Sequence, residues 1–294
     1  MREVVKRNLS AWLFMAPYLL VFGFFMVQPI LRGLGISFFR AGLGSVGNFV
    51  GIKNYTRALS DRNFWLTLGN TLLFVVVSTQ VITAVGFSMA MIVNSKLRGQ
   101  TFFRVIYFAP YVLSMAVVTG LWKFIFQPYL GLISNVTGIE LFWLNTRWLS
   151  WIAILVTTTW WTVGFNMVLC LAGLQDIPEE ILEAARIDGA SRTQILFRII
   201  IPIMGGVLVM VCMLQAIQSF KLFGQPYLMT LGGPGNHTKT IVHYIYQTGF
   251  LERNMGLSSA MSILFLLIVL FFTFMQNRLL SGIDYSSQKQ GKNK

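Results

Sequence analysis

Six stretches of at least 18 residues contain no Asp, Glu, Lys or Arg: Asn8–Leu31, Asn63–Ser95, Val105–Trp122, Trp148–Gln175, Ile199–Phe220 and Asn254–Asn277. A helix needs about 20 apolar residues to cross a bilayer core, because it rises about 1.5 Å per residue. This recurrence predicts an all-α integral membrane protein with six transmembrane helices over residues 11–280. Residues 1–10 are then a cytoplasmic N-terminus and 281–294 a cytoplasmic polar tail, disordered from Ser286 onward. Only 11% of residues are charged, against about 25% in soluble domains, so no large soluble domain can be covered. The first stretch carries Pro17 and Pro29 and lacks a small-x-small site, unlike a cleaved signal. The second, 33 residues long, exceeds a crossing and predicts a tilted span or one that opens with an interfacial turn.

The net charge of +13 comes from Lys and Arg scattered among the connections rather than clustered with aromatics. That pattern fits membrane topology, not nucleic acid. With the N-terminus cytoplasmic, inner segments hold 13 of the 23 Lys and Arg, including Lys96, Arg98, Arg104, Arg186, Arg192 and Arg198, the sign the positive-inside rule requires. Cys170 and Cys212 both fall inside predicted spans, which disfavours a disulfide framework or a cysteine metal site. An intramembrane enzyme needs a nucleophile or metal set in the bilayer. The spans hold no acids, and His237 and His243 lie in a connecting segment. No filter-like repeat supports an ion channel, and Gly232-Gly233-Pro234 lacks the Lys-Ser/Thr of a phosphate loop.

The charged island between the fourth and fifth spans, Asp176–Pro202, reads as two short helices folded on each other. Asp176 is placed to cap the first, with Pro178 in its first turn and Glu179 three residues on. Gly189 stops that helix, and Ser191 and Gln194 form a capping box for a second that runs toward Pro202. Glu183-Ala184-Ala185, Gly189, then Ile199-Ile200-Ile201-Pro202 resembles the EAA signature of ATP-binding-cassette importer permeases, with Ile201 where the family has Leu. The resemblance implies the type I ABC importer permease fold, with this loop as a coupling element that docks on a cytoplasmic ATPase through Glu183, Ala184, Ala185, Asp188, Gly189 and Pro202. Small Ala184 and Ala185 let another surface come close.

Further segments resemble the sugar-uptake, maltose and glycerol-phosphate, branch of these permeases. They are Phe49-Val50-Gly51 with Asn54-Tyr55, Asn70-Thr71, Thr230 with Gly232-Gly233-Pro234, Tyr244-Ile245-Tyr246 and Gly256 with Ser258-Ser259-Ala260. Leu257 and Ser258 depart from the Tyr-Ala of the last pattern. The resemblance implies a multi-pass subunit of a bacterial or archaeal inner membrane, both termini cytoplasmic. It has no cofactor of its own, and ATP and Mg are bound by two partner ATPases. The remaining partners implied are a second homologous permease, an extracytoplasmic solute-binding protein and a sugar or oligosaccharide. The alternative within this class is a phosphorylated or acidic derivative such as glycerol phosphate.

Thr158, Trp161, Thr162 and Phe165 share a helical face, and aromatic surface beside hydroxyls suits a sugar ring. Small polar residues also join helices in lipid, and that role is open to each Thr. Gln215, Gln218 and Ser219 near the outer end of the fifth span either line a pathway or pair with a neighbouring helix. Lys221 either snorkels or meets an anionic substrate. Pro110 in the third span marks a helix facing protein or a water-filled cavity. By position relative to the family's sugar-facing helices, the substrate residues implied are Tyr111, Thr158, Trp161, Phe165, Gln215 and Ser219.

Overall fold

The structure, a computed structural model, describes residues 2–95 and 99–291. Lys96, Arg98, Lys292 and Lys294 of the charge tally lie outside them. The chain divides into two compact units, residues 1–64 with 244–267 and residues 65–243 with 268–294.

In the first unit, α1 (Arg2–Phe22) passes through a π-helical turn at Gly23–Val27 into α2 (Gln28–Ile36). The Gln28 N–H reaches Gly23 O, and Pro29 follows at once, the wider turn giving its ring room inside a continuous helical run. Trp12–Ile36 is apolar enough to span. The expected outer loop then contains a hairpin, β1 (Phe39–Gly42) and β2 (Ser45–Phe49), and α3 (Lys53–Ser60). Asn54 staples this segment by donating from Nδ2 to Ser37 O (2.8 Å) and Phe39 O (2.9 Å), while Tyr55 OH and Ser37 Oγ share a hydrogen bond of 2.6 Å.

The second span is one unbroken helix, α4 (Arg62–Asn94), without the interfacial turn. The third is broken: α5 (Gln100–Val112) and α6 (Met115–Ile125) meet at 99°. A short α7 (Leu132–Thr137) precedes α8 (Arg147–Gln175), the long fourth span. Next come α9 (Glu179–Ile187), α10 (Arg192–Ile195), a π-helical turn at Leu196–Ile200 and α11 (Ile201–Ile203). The fifth span, α12 (Gly205–Phe220), leaves this run at 70°. Pro202 therefore sits inside a helical run rather than ending it, because the Ile201 N–H drops to Leu196 O and the wider turn relieves the proline clash. After α13 (Ile241–Tyr246), α14 (Met255–Gly291) forms the sixth span and continues past it. Residues 286–291, expected to be disordered, are thus helical.

Among the described residues, four helices are long and apolar enough to cross a membrane, and the two bent pairs bring the number to six. Within the second unit, α5 lies against α8 at Gly164, where a Cβ would stand 2.1 Å from Tyr107 O. Only glycine allows that approach. One core joins Phe74, Phe126, Ile154 and Leu222. Another joins Ala90 and Val93 of α4 to Cys170 and Leu174 of α8 and to Ile177, Ala185, Ile195 and Ile200 of the charged island.

Candidate functional site

The island folds as a helical knob on the ends of α4 and α8. Gly189, at φ +78°, closes α9 with paired bonds, Gly189 N–H to Arg186 O (3.1 Å) and Ala190 N–H to Ala185 O (3.0 Å). This is the Schellman pattern, and the left-handed residue is its glycine. Ser191 Oγ accepts from Gln194 N–H (3.3 Å) and Gln194 Oε1 from Ser191 N–H (2.7 Å), completing the capping box. Asp176 does not cap the first helix: it is the C-cap of α8, in helical geometry, with its N–H on Ala172 O and Leu174 O. Pro178 takes the cap position instead, without a side-chain bond.

Burial splits the Ala pair. Ala185 packs into the core with Ile177 and Ile195, so it seats the knob rather than receiving a partner. Ala184 is exposed beside Glu180, Glu183 and Ile187, the last 85% exposed, and Asp188, Gly189 and Pro202 are exposed too. Glu180, Glu183, Ala184 and Ile187 follow the i, i+3, i+4, i+7 spacing of one helix face. Ile187 thus stands in water beside the carboxylates of Glu180 and Glu183, on the one face of α9 that points away from the core.

The break in the third span assembles three of the six expected substrate residues. Tyr111 stacks on Phe165 at 5.2 Å with the rings 13° apart. Trp161 donates from Nε1 to Leu113 O (3.2 Å), satisfying a carbonyl that the break removes from its helix. All three rings keep partial exposure. The other three are buried. Thr158 Oγ1 bonds back to Ile154 O (2.7 Å) and lies 3.5 Å from Gln225 Nε2. Gln215 accepts from Asn166 Nδ2 (2.7 Å) and donates to Ser219 Oγ (3.2 Å), which shares a bond of 2.8 Å with Ser78. The geometry of Gln215 and Ser219 is thus that of a polar chain joining α4, α8 and α12, while the aromatic trio forms an open surface.

At the other end of α4, the Gly-Gly-Pro segment is clamped. Asn70 Nδ2 donates to Asn236 O (3.1 Å) and Lys239 O (3.0 Å), Thr71 Oγ1 accepts from Ile241 N–H (2.9 Å), and Trp151 Nε1 donates to His237 O (2.9 Å). His243, outside the spans, packs edge-on to Tyr227 at 5.1 Å, with its Nδ1 buried and unpartnered. Burial, then the neighbouring Lys239 charge, lowers its pKa to about 4.

Residues 82–285 match the family described as binding-protein-dependent transport system inner membrane component. The chain belongs to this family. Two relatives extend the likeness beyond the matched region. A trehalose/maltose transport system permease protein of Thermococcus litoralis is 34% identical, covering 89% of this chain and 90% of its own. A probable starch degradation products transport system permease protein of Thermoanaerobacterium thermosulfurigenes is 30% identical, covering 92% and 94%. The fold is shared with a bacterial alginate ABC transporter, solved in complex with an alginate pentasaccharide-bound periplasmic protein. That match has a TM-score of 0.83 and 19% identity, over 95% of this chain and 96% of that one.

As an inner membrane component of this family, the protein is a multi-pass transport subunit of the type I permease fold and not an enzyme. The family segments Asn54-Tyr55 and Asn70-Thr71 act as staples, holding the hairpin segment and the Gly-Gly-Pro segment respectively. Three residues of the polar network went unassigned in the sequence. Ser78 and Gln225 carried no spacing signal, while Asn166 was marked only by being an amide in an apolar span.

Proposed function

We propose that this chain is a permease subunit of an ATP-driven, binding-protein-dependent importer of sugars or oligosaccharides. The observation that carries the reading is the knob: a rigidly capped pair of helices, seated by Ala185 and Ile195, that presents Glu183, Ala184 and Ile187 outward. One of two ATPases, which bind ATP and Mg, docks there from the cytoplasm. A second homologous permease completes the pathway, a solute-binding protein delivers substrate from outside, and both termini are cytoplasmic. ATP-driven closure shifts the knob as a rigid body, and the access of the central cavity switches with it.

Sugar as substrate is supported by the Tyr111, Phe165 and Trp161 surface and by the names of the two relatives. Aromatic faces take the C–H side of a sugar ring. Lys221, exposed at the end of α12, is the cation that a phosphorylated or acidic derivative would use. The test is reconstitution of the complex in vesicles with its binding protein. Uptake of an oligosaccharide that requires both ATP and the binding protein is expected, whereas uptake by this chain without ATPases would overturn the proposal. A thermal-shift screen of the binding protein with neutral and phosphorylated sugars separates the two substrate classes.

A further inference from the structure

A cavity of about 870 Å³ lies between the knob and the adjoining ends of α4 and α8. Its wall is apolar, built from Met91, Leu174, Ile177, Leu182 and Ile195, and its polar lining includes Asn94, Ser95 and Gln175. Asn94 and Gln175 are the last residues of α4 and α8, so the cavity sits where those spans meet water. Among the described residues, Arg186 and Arg192, both exposed, flank it with a single carboxylate, Glu179. The knob's outward face of Glu183, Ala184 and Ile187 is not part of this lining.

We propose that this cavity binds one anionic phospholipid of the cytoplasmic leaflet, headgroup phosphate on Arg186 and Arg192 and acyl chain against the Met91 to Ile195 wall. The proposal rests on the reading that the knob is cytoplasmic. Guanidinium groups match phosphate oxygens in fork geometry, and basic pockets among membrane helices on the cytoplasmic side are suited to lipid headgroups. A free phosphate would satisfy the arginines but leave the apolar wall wet. A zwitterionic lipid would fill the wall but bring a compensating cation to a site that already has a net positive lining. A lipid here touches α4, α8, α9 and α10 together, which ties the seating of the knob to the leaflet's charge.

The test uses the whole complex in nanodiscs of phosphatidylcholine with phosphatidylglycerol at about one part in five, followed by native mass spectrometry after mild delipidation. Retained phosphatidylglycerol in preference to phosphatidylcholine is expected, and Arg186→Gln with Arg192→Gln should lower that retention about tenfold. Met91→Trp keeps both arginines and fills the wall, so it too should lose the lipid. Equal retention of the two lipids, or full retention in the arginine variant, overturns the proposal. Displacement by soluble glycerol phosphate with no effect of Met91→Trp also overturns it, assigning a free-anion site instead. Orientation is read separately: a membrane-impermeant thiol reagent should label Thr193→Cys only in inside-out vesicles. Labelling in right-side-out vesicles refutes the cytoplasmic knob whatever the lipid data show.

Discussion

Gly164 has no room for a side chain, since an added Cβ would stand 2.1 Å from Tyr107 O and 2.8 Å from the Phe108 Cα. Backbone, not a flexible side chain, blocks it, so Gly164→Ala must push α5 away from α8. The expected cost is about 1–3 kcal/mol, read as a lowered melting temperature of the purified protein. Gly120→Ala is the control: its Cβ would meet nothing within 4 Å, and the change should be neutral or stabilising by up to about 1 kcal/mol. His243 carries a second consequence. Its folded pKa, about 4, lies below the usual 6.5, so the unfolded chain takes up a proton that the folded chain refuses. The neutral histidine costs no stability above the ordinary value, and stability falls as pH drops from 6.5 through 4. Thermal denaturation across that window should show a smaller loss for His243→Gln than for the parent protein, because the variant removes this one titration.

At the scale of elements, the knob was legible because its punctuation is local. The Gly189 stop and the Ser191 and Gln194 box each close within five residues, so no distant packing is needed to specify them. Ser191→Ala should cost about 1 kcal/mol, and the loss should show as faster amide exchange at residues 192–195 while α8 is unchanged. Asp176 was misread because the same residue can continue α8 or cap α9, and burial of Ile177 favours continuing. The breaks at Leu113–Ser114 and Met204 were not legible as angles. Pro110 and Pro202 mark departures from ideal helix, but each bend comes a few residues later. The first is held by tertiary partners, Trp161 Nε1 on Leu113 O and Met115 against Gly224.

In the molecule as a whole, spans read directly from the spacing of charges, since the bilayer core imposes length and apolarity on each crossing. Side-chain partners did not, because an amide in lipid is equally suited to a pathway and to another helix. Asn166, Gln215, Ser219 and Ser78 close on one another, so α4, α8 and α12 are expected to move together with the knob seated on two of them. That arrangement separates two kinds of transport failure. Trp161→Phe keeps a ring but loses the bond to Leu113 O, whereas Trp161→Ala loses both. If the ring meets sugar, the alanine variant should lower uptake by about tenfold and the phenylalanine variant should retain more, with ATPases bound in each. Glu183→Lys leaves the aromatic surface intact and reverses a charge on the proposed docking face, where mismatch costs several kcal/mol. It should release the ATPases on purification or abolish stimulation of ATP hydrolysis by the loaded binding protein. Full stimulation in that variant would remove Glu183 from the contact, and unchanged uptake in a correctly assembled Trp161→Ala complex would remove Trp161 from the pathway.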